Sequence, residues 1–228
     1  MAIALVVGAG AGLSASLARK LASRGHDVVL AARGTSDLVD LAEETGAAAI
    51  ECNAREPADM AQLFERIDAM DGDLAVAIYN PSARVRGPVH ELDPAAVENA
   101  ILVTTFGAFL MAHHAAKRML ASGSGALLFT GASAGVKGFA NSSSFAMGKF
   151  GLRGLCQSLA RELHPHNVHV GHFVIDGGIA SAAHAERTSE DDSMLDPDAI
   201  ADTYMHFLDQ HRSAWAWEIE LRPWVERF

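Results

Sequence analysis

The sequence is poor in several residue types, and each shortage excludes a class of protein. Its 228 residues include only two cysteines, Cys52 and Cys156, which lie far apart. A disulfide framework is therefore not expected, and two reduced thiols indicate a cytoplasmic protein. The formal net charge is −10, and no block rich in lysine and arginine is present. Binding to nucleic acid through phosphate neutralisation is accordingly not expected.

The N-terminal segment lacks charge, but it also lacks the features of a targeting sequence or a membrane span. No charged side chain occurs in the first 18 residues, and the apolar run starts at Ile3 without the basic segment that precedes it in a secretory signal. Three glycines and two serines in these 18 residues are not typical of a membrane helix. We interpret the segment as a buried strand leading into a loop and a helix, and expect no membrane partner.

Short β-type runs alternate with longer helical patterns along the chain. The predicted strands are Ile3–Val7, His26–Ala32, Ala47–Cys52, Leu74–Tyr79, Ala126–Thr130, Val168–Ile175 and Ala214–Leu221. The predicted helices are Leu13–Arg24, Ser36–Thr45, Pro57–Met70, Pro94–Ser122, Asn141–Leu163 and Pro197–Gln210. This alternation predicts an α/β fold with a doubly wound parallel sheet in three α/β/α layers, a Rossmann fold. No repeat or linker interrupts residues 1–228, so we expect one domain.

One compositional shift occurs over His184–Asp198, within and just after the segment 182–197, and there acidic side chains greatly outnumber basic ones. A solvated loop is the ordinary interpretation of such a charge run. A mobile lid over a binding site is the alternative. At the level of the sequence both interpretations stay open.

A glycine-rich loop separates the first predicted strand from the first helix. It contains Gly8, Gly10 and Gly12, and the helix opens at Leu13. Glycines here let the backbone turn sharply and approach a pyrophosphate, whose charge then rests on the helix N-terminus. Glycine-rich loops also serve as plain turns, but this position after a first strand favours a dinucleotide site.

The end of the second predicted strand indicates which dinucleotide would bind. Sites for NAD usually have an acidic side chain there, which holds the ribose 2′-hydroxyl. This chain has Arg33 and no acid at that point, so a guanidinium is available for a 2′-phosphate. The residue therefore favours NADP(H) over NAD(H). A solvent-facing arginine that merely ends a strand is the alternative.

With these features in place, the chain resembles the short-chain dehydrogenase/reductase family over essentially its whole length. The loop Gly8–Ser14 is similar to the family's TGxxxGxG motif, with Val7 for the threonine and Ser14 for the last glycine. The segment Tyr79–Ser82 is similar to the family's NNAG motif and keeps only Asn80. The order and spacing of these motifs indicate the family more specifically than any single motif does.

Two further segments carry the resemblance. Phe145–Lys149 stands where the family has YxxxK, and Ile175–Ile179 stands where it has a PG turn. Ser181 follows at the position of a threonine that commonly contacts the nicotinamide amide. The cofactor-binding residues that the resemblance implies are Gly8, Gly10, Gly12, Leu13, Arg33, Asn53, Asn80, Lys149, Gly177, Ile179 and Ser181.

The departures from the family pattern concern its chemistry. In the family a serine, a tyrosine and a lysine react, assisted by an asparagine on the preceding long helix. By position these correspond to Ala132, Phe145, Lys149 and Thr104, so only the lysine is kept. The resemblance implies that the lysine holds the nicotinamide ribose and favours an ionised tyrosine. With Phe145 present, only the first of these roles is left to Lys149.

No other tyrosine is positioned to compensate. The chain has only Tyr79 and Tyr204, the first at the tip of the fourth predicted strand and the second in the C-terminal helix. In the enoyl reductase branch of the family the tyrosine precedes the lysine by seven residues, and that position is Ser142 here. Neither arrangement supplies a phenol next to Lys149.

Other groups are possible proton donors. Asp176, at the end of the sixth predicted strand, is the best substitute by position, and a carboxyl group donates a proton only in its protonated form. His184 is of a type that titrates near neutral pH. Ser133, Ser142 and Ser144 are possible hydrogen-bond donors. For each, a structural role as a cap, a turn residue or a surface group is the favoured interpretation.

The histidines between His164 and His172 do not predict a metal site, because their spacing spans a helix end and a strand and directs the rings differently. The sequence thus indicates an oxidoreductase that uses NADP(H) on a small carbonyl or alcohol through an altered active site. The alternative is a catalytically silent member that binds a dinucleotide or metabolite as a sensor or partner subunit. The resemblance implies a homodimer or homotetramer.

Overall fold

The structure is a computed structural model, and it describes residues 2–181 and 193–225. Its centre is one parallel sheet of seven strands in the order β3-β2-β1-β4-β5-β6-β7. The strands are β1 (Ala2–Val7), β2 (His26–Ala32), β3 (Ala48–Glu51), β4 (Asp73–Tyr79), β5 (Gly125–Thr130), β6 (Val168–Ile175) and β7 (Glu218–Leu221). The helices are α1 (Leu13–Ser23), α2 (Val39–Thr45), α3 (Pro57–Asp68), α4 (Pro94–Ile101), α5 (Gly107–Ser122), α6 (Ser143–Leu163) and α7 (Pro197–Leu208). The predicted doubly wound α/β fold is confirmed.

The sheet is buried on both faces because its strands carry apolar residues at nearly every position. In β1, Ile3, Leu5 and Val7 belong to one core cluster, whereas Ala4 and Val6 belong to the other. Successive side chains of a strand point to opposite faces, so one short apolar run contributes to both layers. Continuous hydrophobicity in a strand therefore reflects helices on both sides of the sheet.

Most predicted elements agree with the structure within three residues at each end, and two differ more. The predicted strand Ala214–Leu221 begins only at Glu218, because the Gln210 side chain accepts the backbone N–H of Ala216 at 2.9 Å and holds the chain outside the sheet. The predicted helix Pro94–Ser122 is interrupted by a π-helical turn over Leu102–Phe106. The hydroxyl of Tyr79 donates a hydrogen bond to the carbonyl of Val103 in this turn, so a π-bulge takes the place of regular α-helix.

The helical segment Pro94–Ser122 is long and apolar enough, by length and composition alone, to cross a membrane. The core helices of globular proteins pass the same test. Here Ala108, Met111, Ala112 and Ala115 are buried in the core cluster on one face of the sheet, which accounts for much of the apolar composition. The segment is therefore weak evidence for a membrane span.

The predicted lid lies mostly outside the described residues, which omit 182–192, and so does His184. The described end of the segment is attached to the loop after β6. Leu195 donates its backbone N–H to the Gly178 carbonyl at 2.8 Å and accepts that of Ala180 at 2.8 Å. Asp196 then caps α7 by accepting the N–H of Asp198 at 2.7 Å.

Candidate active site

A cleft of about 1260 Å³ opens at the carboxyl ends of β4, β5 and β6, on the edge where doubly wound sheets bind ligands. Among the predicted site residues it is lined by Asn80, Ala132, Phe145, Lys149, Asp176, Gly177 and Ile179. The tertiary structure thus brings together side chains from four segments that the sequence separates by up to about a hundred residues. The glycine loop lies beside this cleft, after β1 on the same edge.

The glycine loop turns sharply at two positions. Gly8 has a φ of 79°, and a Cβ added there would lie 2.7 Å from the ring of Pro81. Gly12 has a φ of 83° and directly precedes α1, whose first residue, Leu13, is buried. An added Cβ at Gly10 or Gly12 would meet no atom within 4 Å. The loop therefore leaves open space at a helix N-terminus, which fits the approach of a pyrophosphate.

Ser14 joins this loop to the strand next to it. Its hydroxyl donates to the Gly8 carbonyl at 2.9 Å and accepts from the Asn80 side-chain amide at 2.7 Å. The backbone N–H of Asn80 also donates to Val7 at 3.0 Å. The Ser14 side chain therefore cross-links the ends of β1 and β4.

The predicted residues at the ends of β2 and β3 lie on the same edge. Arg33 is exposed directly after β2. Asn53 is half-buried two residues after β3, and the Asp59 carboxylate accepts its backbone N–H at 2.9 Å. Arg33 follows the strand next to β1 and Asn53 follows the strand beyond it, on the side of the sheet where the adenosine half of a dinucleotide would extend.

Lys149 is buried at the base of the cleft, with 2% of its surface exposed. Its ammonium group donates a hydrogen bond of 2.7 Å to the carbonyl of Thr130, the last residue of β5. Burial, together with the nearby charge of Arg84, lowers the pKa of Lys149 from 10.5 to about 7, although Cys156 opposes the shift. An ammonium has three N–H donors, so two remain for ligand hydroxyls in the cleft.

Phe145 lines the cleft one helical turn before Lys149 and is 8% exposed. The guanidinium of Arg84 lies over its ring, with the Cζ atom 4.0 Å from the ring centroid, while the Lys149 ammonium is 5.8 Å from the centroid. Ala132 lines the same cleft after β5. Two cations, from Arg84 and Lys149, therefore lie within about 6 Å of the centre of the Phe145 ring.

Arg84 and Arg86 are site residues that the sequence analysis missed. They belong to residues 80–87, the loop after β4, in a chain whose net charge is strongly negative, and both line the cleft. Two arginines separated by one residue, directly after the end of a central strand, were a signal that could have been recognised. Such strand ends face the ligand site in parallel sheets.

In the loop formed by residues 80–87, the backbone groups of every second residue form hydrogen bonds with the rest of the fold. The Ala83 N–H donates to the Thr104 hydroxyl at 3.1 Å, so Thr104 anchors this loop. The buried Ser144 hydroxyl accepts the Val85 N–H at 3.1 Å and donates to the Val85 carbonyl at 2.8 Å. The Gly87 N–H donates to Asn141 at 3.1 Å. Ser144 is therefore structural.

Asp176 is 7% exposed at the end of β6 and forms ion pairs with two cations. Its Oδ2 lies 3.4 Å from the Lys137 ammonium and 3.4 Å from the guanidinium of Arg222. The Asp176 carboxylate oxygens can accept hydrogen bonds from a ligand in the cleft. Ser133 and Ser142 also line the cleft.

The loop after β6 completes the described cleft. A Cβ added at Gly177 would lie 2.6 Å from the Pro223 ring, so this glycine permits a close backbone approach. Ile179 pairs with Leu195 in an isolated parallel bridge. Ser181 is exposed at the end of the described segment.

Neither tyrosine reaches the cleft. Tyr79 is fully buried against the π-helical turn, and burial raises the pKa of its phenol. Tyr204 is also fully buried and shares a 2.8 Å hydrogen bond with the Thr130 hydroxyl. Burial raises the pKa of Tyr204 as well, against the smaller opposing effect of that bond. Both side chains are core groups.

The histidines of β6 have packing roles. The ring of His169 stacks between Phe207 and Trp215 at centroid distances of 4.0 and 4.2 Å, and burial lowers its pKa to about 4. His172 is buried, and its Nδ1 lies 2.9 Å from the Glu218 carboxylate. Within residues 2–181 and 193–225, no three histidine, cysteine or acidic side chains converge on a possible metal position.

Comparisons with known proteins agree with this geometry. The model of the family described as short chain dehydrogenase matches residues 2–192. The cis-4-hydroxycyclohexanecarboxylate dehydrogenase of Sinomonas cyclohexanicum is 36% identical over 163 residues, which are 69% of this chain and 66% of that protein. The aligned region is just under two thirds of the length of the first curated relatives, at 66% and 64%.

Two solved structures extend the similarity to nearly the whole chain. A short-chain dehydrogenase from Rhodopseudomonas palustris is 32% identical, with a TM-score of 0.86, over 98% of this chain and 99% of that one. A metagenomic short-chain oxidoreductase in complex with NADP is 28% identical, with a TM-score of 0.82, over 98% and 97% of the two chains. The fold, the glycine loop and the family match together lead to one conclusion. The chain belongs to the short-chain dehydrogenase family.

Proposed function

We propose that the protein is an oxidoreductase that uses NADP(H) to interconvert a small alcohol and its carbonyl compound through an altered active site. The observation that carries this proposal is the position of Lys149. Its ammonium is buried at the base of a cleft beside a glycine loop with open space at a helix N-terminus. When bound, the dinucleotide would donate or accept the hydride. The side chains of this protein would hold the dinucleotide and would donate or accept the proton.

The choice of NADP(H) rests on the end of β2. Arg33 is exposed there, and its guanidinium suits a 2′-phosphate better than a 2′-hydroxyl. The similar metagenomic oxidoreductase was solved with NADP. The proposed cofactor site would be completed by residues of the glycine loop and of the other strand ends: Gly8, Gly10, Gly12, Leu13, Asn53, Asn80, Gly177, Ile179 and Ser181.

For the substrate we propose a small ring alcohol or its ketone. The relative from Sinomonas cyclohexanicum is named for a hydroxylated cyclohexane ring. The cleft presents Phe145 and Phe139 together with small residues such as Ala132, which suits contact with an apolar ring.

The altered chemistry follows from the residues at the family's reactive positions. With Ala132 and Phe145 in place of serine and tyrosine, Lys149 would bind the ribose hydroxyls. Asp176 is the acidic side chain that the described lining residues offer. As a carboxylate flanked by two cations, it would take the proton of the alcohol when the hydride leaves for the cofactor. We propose Lys149 and Asp176 as the catalytic residues.

A silent dinucleotide-binding protein, acting as a sensor or partner subunit, is the second candidate. One observation favours it: Arg84 covers the ring of Phe145, where the family's phenol would meet its substrate. We also propose that the protein is a single cytoplasmic domain, consistent with its buried free thiols, Cys52 and Cys156.

A homodimer or homotetramer is part of the proposal. Phe106 and Phe109 on or beside α5, and Met147 and Phe150 on α6, are exposed large apolar side chains. Apolar groups that recur on two neighbouring helices are typical of subunit interfaces. Sedimentation of the purified protein would measure the assembly state.

The test is a titration of the purified protein with NADPH and with NADH, monitored by tryptophan fluorescence. Lys149→Ala should weaken NADPH binding about tenfold or more, because it removes a charged donor of hydrogen bonds. Arg33→Met should weaken NADPH binding while leaving NADH nearly unchanged. Equal binding of both dinucleotides to wild type would contradict the preference for NADP(H), and binding of neither would contradict the cofactor site itself.

Turnover separates the two candidates. Cyclohexanol with NADP⁺ and cyclohexanone with NADPH are suitable first substrates, with absorbance of the reduced nicotinamide as the readout. Measurable rates that disappear in Asp176→Asn would support the oxidoreductase with its carboxylate base. Tight NADPH binding without turnover of any ring alcohol or ketone in a broad panel would favour the silent protein.

A further inference from the structure

We infer that the substrate carries an anionic group, a carboxylate, and that Arg84 and Arg86 bind it at the wall of the cleft formed by residues 82–87. The inference rests on the proposed function, because it names the substrate class of the same site. It follows from the charge of the cleft, the free donors of the two guanidinium groups, and the rigid attachment of their loop.

The charge of the cleft is opposite to that of the chain. The net charge of the protein is −10, yet the described lining residues include four basic side chains and one acidic one. These are Arg84, Arg86, Lys137 and Lys149 against Asp176. Basic side chains concentrated in a cleft raise the local concentration of anions, and more so when the surrounding protein is acidic.

Two of the four cations are already engaged by the protein. Lys149 donates to the Thr130 carbonyl, and Lys137 is paired with Asp176. Across the described residues, the guanidinium groups of Arg84 and Arg86 form no ion pair and donate no hydrogen bond, and Arg84 contacts the face of Phe145. Each offers five N–H donors in a planar fork that matches a carboxylate.

The two arginines also act on each other. Arg84 and Arg86 line the same wall of the cleft, and burial together with the charge of Arg86 lowers the pKa of Arg84. A bound anion would offset this repulsion. A carboxylate is a better partner than water because its hydrogen bonds with guanidinium are charge-assisted on both sides.

The stack on Phe145 positions Arg84 without using its donors. A guanidinium over an aromatic face is held by its charge, and its N–H groups remain available at the edges. Because Phe145 occupies the place where the family has its reactive phenol, Arg84 lies next to the reaction centre. A substrate held by its carboxylate at this point would present the rest of its ring to the cofactor side of the cleft.

The loop that carries the arginines is attached firmly enough to define a geometry. The backbone groups of Ala83, Val85 and Gly87 bond to α6, to the chain before it, and to the π-helical turn, at distances of 2.8–3.1 Å. The residues between them, Arg84 and Arg86, line the cleft. A binding residue on an anchored backbone loses less conformational freedom when its ligand binds.

The cofactor phosphates are not the anion that this pair would bind. Phosphates of a dinucleotide rest at the glycine loop and the N-terminus of α1. The residues of that loop, Gly8 to Leu13, are not among those lining the cleft with Arg84 and Arg86. The arginine pair therefore lies at the substrate end.

The experiment compares two ligands of the same shape and different charge. Cyclohexanecarboxylate and its neutral isostere cyclohexanecarboxamide are titrated into wild type by calorimetry, with and without saturating NADP⁺. We expect the carboxylate to bind about 10- to 100-fold more tightly than the amide, as charge-assisted hydrogen bonds predict. Equal affinities for the two ligands would overturn the inference.

Variants assign the effect to the residues. Arg84→Met should remove most of the preference for the carboxylate, Arg84→Lys should retain part of it, and Arg86→Met should reduce it less. The control is Arg66→Met, which removes the same charge from an exposed position on α3. A preference that survives in both Arg84→Met and Arg86→Met would also overturn the inference.

The design separates this inference from the proposed function. If no dinucleotide binds but the carboxylate preference persists without NADP⁺, the cofactor proposal fails and the anion site stands. If NADPH binds and ring alcohols react with no dependence on a carboxylate, the anion site fails and the oxidoreductase stands.

Discussion

The two ends of the cleft differ in what maintains them. At the proposed cofactor end, the geometry depends on the positive φ of Gly8 against the ring of Pro81, and on the Ser14 hydroxyl, which joins the Gly8 carbonyl to the Asn80 amide. At the reaction end, it is fixed by side chains, with Arg84 over Phe145 and Lys149 beneath. Side chains that line an open cleft can change without disturbing the sheet, whereas a side chain at Gly8 would lie 2.7 Å from Pro81. The residues at the proposed reaction end are therefore easier to substitute than Gly8.

The strongest test of this comparison is to introduce hydroxyl groups at residues 132 and 145, where we propose that the reactive serine and tyrosine of the family are replaced. The double variant Ala132→Ser with Phe145→Tyr should raise the reductase rate by about 10²–10⁴, the usual contribution of a positioned general acid. The permanent charge of Arg84, whose Cζ is 4.0 Å from the ring centroid of residue 145, would favour the ionised phenol. The measurement is NADPH oxidation with cyclohexanone. No gain, with NADPH binding intact, would show that the reaction end has diverged beyond these two residues.

The next largest effect concerns the buried charge of Lys149. Its pKa is lowered from 10.5 to about 7 by burial, so the unfolded chain binds more protons than the folded one between these pH values. Stability should therefore increase with pH through this window, by up to roughly 1.4 kcal/mol per pH unit. Lys149→Met has no ammonium to bury, so its stability should not show this pH dependence. The stability of the variant relative to wild type should be greatest below about pH 7.

Urea denaturation of both proteins from pH 6 to 9 measures this difference. Lys117→Met is the matched control, since Lys117 is an exposed lysine on α5. A constant offset between Lys149→Met and wild type across the range would contradict a lowered pKa of the buried ammonium.

A matched pair of glycine substitutions tests the cofactor end. Gly8→Ala should lower the free energy of unfolding by about 2–4 kcal/mol, because it combines a positive φ with a Cβ 2.7 Å from Pro81. Gly10→Ala should have little effect on folding, since its Cβ would meet no atom within 4 Å. If that open space receives the pyrophosphate, Gly10→Ala should still weaken NADPH binding. Equal destabilisation by the two variants would argue against the backbone constraint.

The smallest effects are expected at the two tyrosines. Tyr204→Phe loses the hydrogen bond with the Thr130 hydroxyl, and Tyr79→Phe loses the one to the Val103 carbonyl. Each should cost about 1–2 kcal/mol of stability. Neither should change NADPH affinity or turnover, because both phenols are buried in the core. A selective loss of turnover in either variant would place that hydroxyl in the reaction.

Several features could be predicted from the sequence because their signals are local. The apolar runs and their spacing predicted all seven strands, and β2 and β6 have the predicted bounds. The glycine loop and Lys149 were found from short motifs. The π-helical turn was missed because the hydrogen bond of Tyr79 that accompanies it comes from another element. The prediction was wrong for the first part of the last strand. There the backbone N–H of Ala216 donates its hydrogen bond to the Gln210 side chain instead of to a neighbouring strand.

By itself, the sequence determined the order of strands and helices, the position of the glycine loop and the absence of a hydroxyl at residue 145. These depend on residue type, periodicity and neighbours along the chain. Only the tertiary structure decided that Arg84 covers Phe145, that Asp176 is held between Lys137 and Arg222, and that Lys149 is buried. The charge and burial of a site depend on segments that are far apart in sequence. They are determined only when the sheet brings the strand ends together at one edge.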